Sequence, residues 1–200
     1  MADLIFVRHG PTSWSGQRFC GRADPALTSA GHRIARRLGN DLADVLGPTS
    51  MSAARIVSSP ARRARDTAHA IALALDGPDV ELDPRWAEAD VGDAEGLTFE
   101  GLSALDPRLA ERLAAGDVAI DWPGGESASS LRDRVASALR DLLARSPTTI
   151  VVSHAGPLRI AVALATGEPA ERVAFLHPGG WLRATGAGPT AAGRMLRFPA

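Results

Sequence analysis

The chain has 200 residues, 45% of them hydrophobic, and a formal net charge of −1, which suits one globular domain over residues 1–200 with a substantial core. The balanced charge and an aromatic content of 4% argue against nucleic acid, which calls for a basic face or stacking rings. All 22 basic residues are arginine, which removes Walker-type phosphate loops and Schiff-base lysines but leaves bidentate phosphate recognition intact.

In chain order, the first predicted strand is 3–8, an apolar run that ends in Arg8-His9-Gly10. Thr28 is placed to cap a helix over about 28–46. A strand at 54–58 leads into Ser58-Ser59-Pro60, and Pro60 opens a helix to about residue 75. A strand at 80–83 precedes residues 86–125, a stretch of loops and short helices that reads as a lid-like insertion. A long helix runs from Glu126 to Arg145, followed by a strand at 148–153 that ends in Ser153-His154-Ala155-Gly156. Pro157 starts a further helix to about Thr166. Weaker strands follow at 181–185 and 194–198. Alternation of strand and helix predicts an α/β fold, a largely parallel sheet with helices on both faces.

Ligands of α/β proteins bind at the carboxyl ends of the strands. His9 and His154 each end a strand, so they read as two halves of one reactive site. Arg8 beside His9 points to a histidine nucleophile facing an anion, most simply a phosphate. Arg63 falls in the first turn of the helix after strand 54–58, where free N–H groups and the helix dipole attract phosphate. His154, if protonated, adds a donor where charge builds. A leaving alkoxide needs a proton. Glu88, at the start of the insertion, is suited to supply it, its pKa raised by partial burial and by Asp90.

Other features read as structural. His32 and His69 fall in helical patterns and face solvent, His177 sits in a turn, and Arg62 and Arg65 form a solvated helix face. The tryptophans are too scattered for a stacking platform, although Trp14 and Trp86 stand close enough to the key segments to line an entrance. Cys20 is the only cysteine, so neither an intrachain disulfide nor a multi-cysteine metal site is expected. The histidines lack zinc-site spacing, and neither a metal nor a cofactor is expected. The N-terminal apolar run is too short for a signal peptide, and no stretch approaches the roughly 20 apolar residues of a membrane span. A cytoplasmic enzyme with a small-molecule partner is expected, without nucleic acid or membrane, and homodimerisation is left open.

Six segments carry a resemblance: Arg8-His9-Gly10-Pro11-Thr12, Leu27-Thr28-Ser29-Ala30-Gly31, Ser58 to Ala68, Glu88-Ala89-Asp90-Val91-Gly92, Pro123-Gly124-Gly125-Glu126-Ser127, and Val152 to Gly156. Their order and spacing from residue 4 to about 160 resemble the histidine phosphatase superfamily, the phosphoglycerate mutase-like proteins. The resemblance implies a three-layer α/β/α sandwich around a mixed, mostly parallel sheet. It implies His9 as nucleophile, Glu88 as general acid, and Arg8, Arg63 and His154 as the phosphate pocket. Further substrate contacts are implied for Ser15, Gly21 and Ala155. Ser15 stands where many members have Asn, Ala155 where they have Gly, Pro11 where an acidic or polar residue is common, and Ala94 where an aromatic often precedes Glu95-Gly96, which should leave a roomier wall.

The implied activity is hydrolysis of a small phosphomonoester, as in the small bacterial branch that includes α-ribazole phosphatase. The nearest alternative is mutase-type phosphoryl transfer. Segment 97–125 argues against it, because it offers Arg108 and Arg112 against Glu100, Asp106, Glu111, Asp117 and Asp121. A second alternative is a non-catalytic binding module on the same fold.

Overall fold

A computed structural model describes residues 2–77, 79–145, 148–187 and 194–197. Six strands form one sheet in the order β3-β2-β4-β1-β5-β6: β1 is Ala2–Arg8, β2 Arg55–Ser58, β3 Val80–Leu82, β4 Thr148–Ser153, β5 Trp181–Ala187 and β6 Arg194–Arg197. The first four are parallel, and β5 and β6 add an antiparallel edge. Residue 198, the end of the last predicted strand, lies outside the described residues.

Side chains alternate across the sheet as strand geometry requires. On β1, Leu4 and Phe6 face one layer and Ile5 and Val7 the other, all fully buried. The first layer holds helices α5 (Ala128–Arg145) and α6 (Ala155–Thr166), packed through Val135, Leu139, Leu158 and Val162. The second holds α1 (Ser29–Ala53) and α2 (Arg62–Ala74), packed through Leu38, Leu42, Ala68 and Ile71. Because β1 and β4 are buried on both faces, they read as continuous apolar runs.

The helix ends follow local chemistry, although three starts differ from the sequence reading by two residues: α2 begins at Arg62, α5 at Ala128 rather than Glu126, and α6 at Ala155 rather than Pro157. Thr28 Oγ1 accepts from Gly31 N–H at 3.0 Å, as a cap should. Helix α1 breaks where expected, after residue 46: Gly47, with a φ of 66°, is non-helical, and a second helical stretch continues to Ala53. Helix α2 starts at Arg62, two residues after Pro60, and its first amide is capped from a distance, Arg62 N–H donating to Asp24 Oδ1 at 2.7 Å.

Residues 86–125 include two short helices, α3 (Phe99–Leu105) and α4 (Pro107–Ala114), started by Thr98 and Asp106, whose side chains accept from Gly101 and Leu109 N–H. Their apolar faces join Val91, Ala94 and Ile120 in a small core of their own. No helix among the described residues is long and apolar enough to cross a membrane.

Candidate active site

Three neighbouring parallel strands end at one place. Arg8 of β1 lies opposite Ser153 of β4, and Ser58 of β2 opposite Val152. The pairing continues one residue beyond the strands: His9 N–H donates to Ser153 O at 3.0 Å and Ser59 N–H to Val152 O at 2.9 Å. His9, Ser59 and His154 are thereby brought side by side, with the His9 and His154 ring centroids 5.0 Å apart.

His9 is held in one tautomer. Its Nδ1–H donates to Gly10 O at 2.7 Å, which leaves the Nε2 lone pair free. Burial, helped by Arg63 and Arg8, lowers its pKa to about 3, so the imidazole is neutral and nucleophilic at physiological pH. Behind it, Thr67 fixes the turn: its Oγ1 accepts from Gly10 N–H at 3.0 Å and donates to Arg63 O at 2.7 Å. The Arg-x-x-x-Thr spacing of 63 and 67 is therefore one helical turn that ties Arg63 to the turn carrying His9.

Arg63 is buried beneath the site. Its Nη1 donates to Ala23 O at 2.8 Å and its Nη2 to Gly21 O at 3.3 Å. Those carbonyls are themselves organised by Glu95, whose carboxylate accepts from the N–H groups of Gly21, Arg22 and Ala23 at 3.0, 2.7 and 3.2 Å. Arg8 donates through Nη1 to Leu176 O at 2.7 Å, and its buried Nε has no partner. Burial, with Arg63 nearby, lowers the Arg8 pKa while Glu88 raises it; a guanidinium stays charged throughout.

His154 corrects one expectation. Burial above all, then the proximity of His9, Arg63 and Arg8, pushes its pKa well below the usual value, so it is neutral rather than an imidazolium. It still has a proton to offer. Ser59 Oγ accepts from Ala61 N–H and lies 2.8 Å from His154 Nε2; with the Ser59 hydroxyl as donor in that contact, the imidazole proton sits on Nδ1. That Nδ1 is buried and has no protein partner.

Glu88 lines a cavity together with Arg8, His9 and Arg63. Its pKa is raised by burial, against the lowering effects of the Ala89 N–H bond and of Arg8, Arg63 and Arg134. Asp90, expected to contribute, does not; it pairs with Arg22 at 2.7 Å and accepts from Gly92 N–H. The loop carrying Glu88 is gripped by Arg134, which donates to the carbonyls of Arg85, Ala87 and Glu88 at 2.7, 2.8 and 3.1 Å. Glu126 holds Arg134 in turn at 2.7 Å. On the strand side, Ser153 Oγ donates to Trp86 O at 2.6 Å.

The structure brings together Arg8, His9, Arg63, Glu88 and His154. Ser15 and Ala155 line the cavity. The Ser15 hydroxyl also serves its own turn, accepting from Thr12 N–H at 2.9 Å, and Ala155 opens α6, where first-turn N–H groups lack helical partners. Gly21 is not on the cavity wall. Its N–H goes to Glu95 and its carbonyl to Arg63, and a Cβ there would lie 2.4 Å from Ala89 O, so it acts by letting two loops touch.

Several other residues settle as well. Trp86 is a fully buried core residue, not an entrance residue, whereas Trp14 does line the cavity. At Gly96 the Trp14 ring packs against the wall, 3.5 Å from where a Cβ of residue 96 would stand. His32, His69 and His177 are exposed. Cys20 Sγ donates to Ala23 O, and burial raises its pKa to about 11, so the thiol is protonated and inert. Among the described residues no three His, Cys, Asp or Glu side chains gather as a metal site would need.

Sequence reasoning assigned no role to Ser59, Thr67, Glu95, Arg134, Glu126 or Gly156. Thr67 and Ser59 stood within quoted segments and were legible as polar residues at a strand–helix junction. Glu95 to the 21–23 loop and Arg134 to the 85–88 loop are tertiary contacts without a local signal.

The family model of the histidine phosphatase superfamily (branch 1) matches residues 4–180. The chain is 38% identical over 165 residues to a bifunctional protein of Mycobacterium tuberculosis, covering 81% of this chain but only 43% of that relative. It is 35% identical over 173 residues to a probable phosphoglycerate mutase of Citrobacter koseri, covering 85% of this chain and 77% of that one. Among solved structures, a mycobacterial glucosyl-3-phosphoglycerate phosphatase complexed with VO3 superimposes over the full length of both chains with a TM-score of 0.84 at 26% identity.

Proposed function

Because this chain belongs to the histidine phosphatase superfamily, we propose that it hydrolyses small phosphomonoesters in the cytoplasm through a phosphohistidine formed on His9. One observation carries the reading: Arg8 Nε and His154 Nδ1 are buried without a protein partner, on the residue preceding His9 in the chain and on the ring whose centroid lies 5.0 Å from that of His9. Buried donors left unpaired cost free energy, and a phosphoryl group would satisfy both.

In this reading Arg8, Arg63 and neutral His154 bind the phosphoryl oxygens, with Ser15 and the Ala155 N–H at the margin. His9 Nε2 attacks phosphorus in line with the ester oxygen. The P–O bond breaks as the N–P bond forms, and the leaving alkoxide takes the proton of Glu88. The Glu88 carboxylate then takes a proton from water, whose oxygen attacks the phosphohistidine. Inorganic phosphate leaves, with His9 neutral and Glu88 protonated as at the start. Charge neutralisation falls to Arg8 and Arg63, with neutral His154 adding a hydrogen-bond donor, so no metal or cofactor is invoked. A phosphorylated metabolite such as α-ribazole phosphate is a candidate substrate.

The likeness to a probable phosphoglycerate mutase supports a second reading, in which the phosphoryl group returns to an organic acceptor. Against it, the cations near the outer cavity are engaged: Arg112 with Asp117 at 2.8 Å and Arg18 with Gly96 O at 2.7 Å. An assay with and without phosphoglycerate as acceptor separates the two. Release of inorganic phosphate at an acceptor-independent rate is expected; quantitative transfer to the acceptor would replace hydrolysis by the mutase reading.

A further inference from the structure

The chain has nine aromatic residues, four Trp and five Phe. Phe6, Trp86 and Trp181 are buried in the main core, and Phe198 lies outside the described residues. The other five, Trp14, Phe19, Phe99, Trp122 and Phe175, all line the cavity that has His9 at its inner end. They are scattered in sequence, and the fold gathers them. Phe19 and Trp122 meet edge to face with centroids 5.8 Å apart. Phe99 and Phe175 are 44% and 55% exposed, unusual for phenylalanine and costly unless something covers them.

Most polar groups of this outer wall are already engaged. Asp117 pairs with Arg112 and accepts from Ala119 N–H. Arg159 donates through Nε to Ala170 O at 2.7 Å and through Nη2 to Glu171 O at 3.0 Å, its guanidinium lies 4.3 Å from the Phe175 ring centroid, and its buried Nη1 alone has no partner. A carboxylate or a row of hydroxyls on a substrate would find few free partners here and would be desolvated at a cost. An aromatic ring would find aromatic faces and edges at stacking distance. The cavity, about 430 Å³, is large enough for a phosphoryl group with a ring-sized substituent.

Resting on the phosphatase reading, we infer that the substrate's alcohol portion carries an aromatic ring, so that the five aromatics form its binding chamber. The enzyme then selects against ringless polyol phosphates and hydroxy acids by leaving most of their polar groups unpaired, the stronger form of discrimination.

The test compares alkyl phosphates whose leaving groups are similarly basic: 2-phenylethyl phosphate, glycerol 1-phosphate and 3-phosphoglycerate. The aromatic ester should be favoured in kcat/KM by about 100-fold, the equivalent of one buried ring. Phe99→Ala combined with Phe175→Ala should cut that preference about tenfold. Leu73→Ala, an exposed site 81% accessible and away from the cavity, should leave it unchanged. Binding of benzylphosphonate and of phosphonoacetate, measured by calorimetry, reads the chamber without turnover. Tighter binding of benzylphosphonate supports the inference even if no ester is hydrolysed, in which case only the phosphatase reading falls. Equal or reversed preference in both binding and turnover overturns the aromatic chamber and leaves hydrolysis standing.

Discussion

Gly156 lies directly against the carboxylate of Glu88: a Cβ at position 156 would approach Oε1 to 2.8 Å. The glycine in the first turn of α6 thus makes room for the acid that lines the cavity beside it. Gly156→Ala should leave the fold intact, since α6 gains a better helix former and the crowded atom ends a flexible side chain. It should displace the Glu88 carboxyl and slow hydrolysis of alkyl phosphates about tenfold or more, with Tm unchanged or slightly raised. An unaltered rate would show that Glu88 has no fixed position to lose.

Glu88→Gln tests the acid itself. A proton donor matters in proportion to the basicity of the leaving group. Hydrolysis of 2-phenylethyl phosphate should fall by about 100-fold or more, whereas p-nitrophenyl phosphate, whose leaving group departs as a stable anion, should lose far less. Burial raises the Glu88 pKa, so the wild-type rate for alkyl esters should fall on the alkaline side of that pKa, and this limb should vanish in the variant. Equal losses on both substrates would reassign Glu88 to binding.

Nucleophile and phosphate pocket separate by different readouts. His9→Ala should abolish the acid-labile, base-stable phosphoryl label that rapid quenching traps on the wild-type protein. Arg63→Ala should keep the label but cost about 2–4 kcal/mol in kcat/KM, the value of a charged donor to the transferring group. A trapped phosphoryl group on His9→Ala would place the nucleophile elsewhere.

The buried histidines make folding sensitive to acid. The His9 pKa is about 3 when folded, against about 6.5 unfolded. Between those values the unfolded chain carries a proton that the folded chain refuses, so stability rises with pH across this window and is lost as pH falls from about 6.5 toward 3. His154, also depressed, acts in the same direction. Glu88, with its raised pKa, acts oppositely above about pH 4.5. Urea unfolding should show that the step from pH 7 to pH 5 destabilises the wild type by about 2 kcal/mol more than His9→Ala. Parallel pH dependences would mean that His9 is not held neutral.

Turnover should survive EDTA and exhaustive dialysis, because the proposed neutralising groups are side chains. Activity lost to the chelator and restored by one divalent ion would overturn that part of the mechanism.

What the sequence determined by itself was local. Apolar runs ending in Arg8-His9-Gly10 and Ser153-His154-Ala155 specify strands that stop at a turn, because a doubly buried strand must be apolar throughout and its end is where polar groups can return. The Thr28 cap and the reading of His32, His69 and His177 as surface residues likewise follow from neighbours in the chain. The tertiary structure decided what depends on distant residues meeting. It placed β4 beside β1 and β2, which brings His154 to His9 and Ser59. Burial in that meeting place, not a nearby Asp90, raises the Glu88 pKa, and it leaves His154 neutral where sequence reasoning had allowed an imidazolium. Trp86 entered the core while Trp14, Phe19, Phe99, Trp122 and Phe175 converged on one cavity, although nothing in their spacing marks them as a group. Desolvation and aromatic packing depend on the atoms that surround a side chain in three dimensions, and a linear sequence does not contain that list.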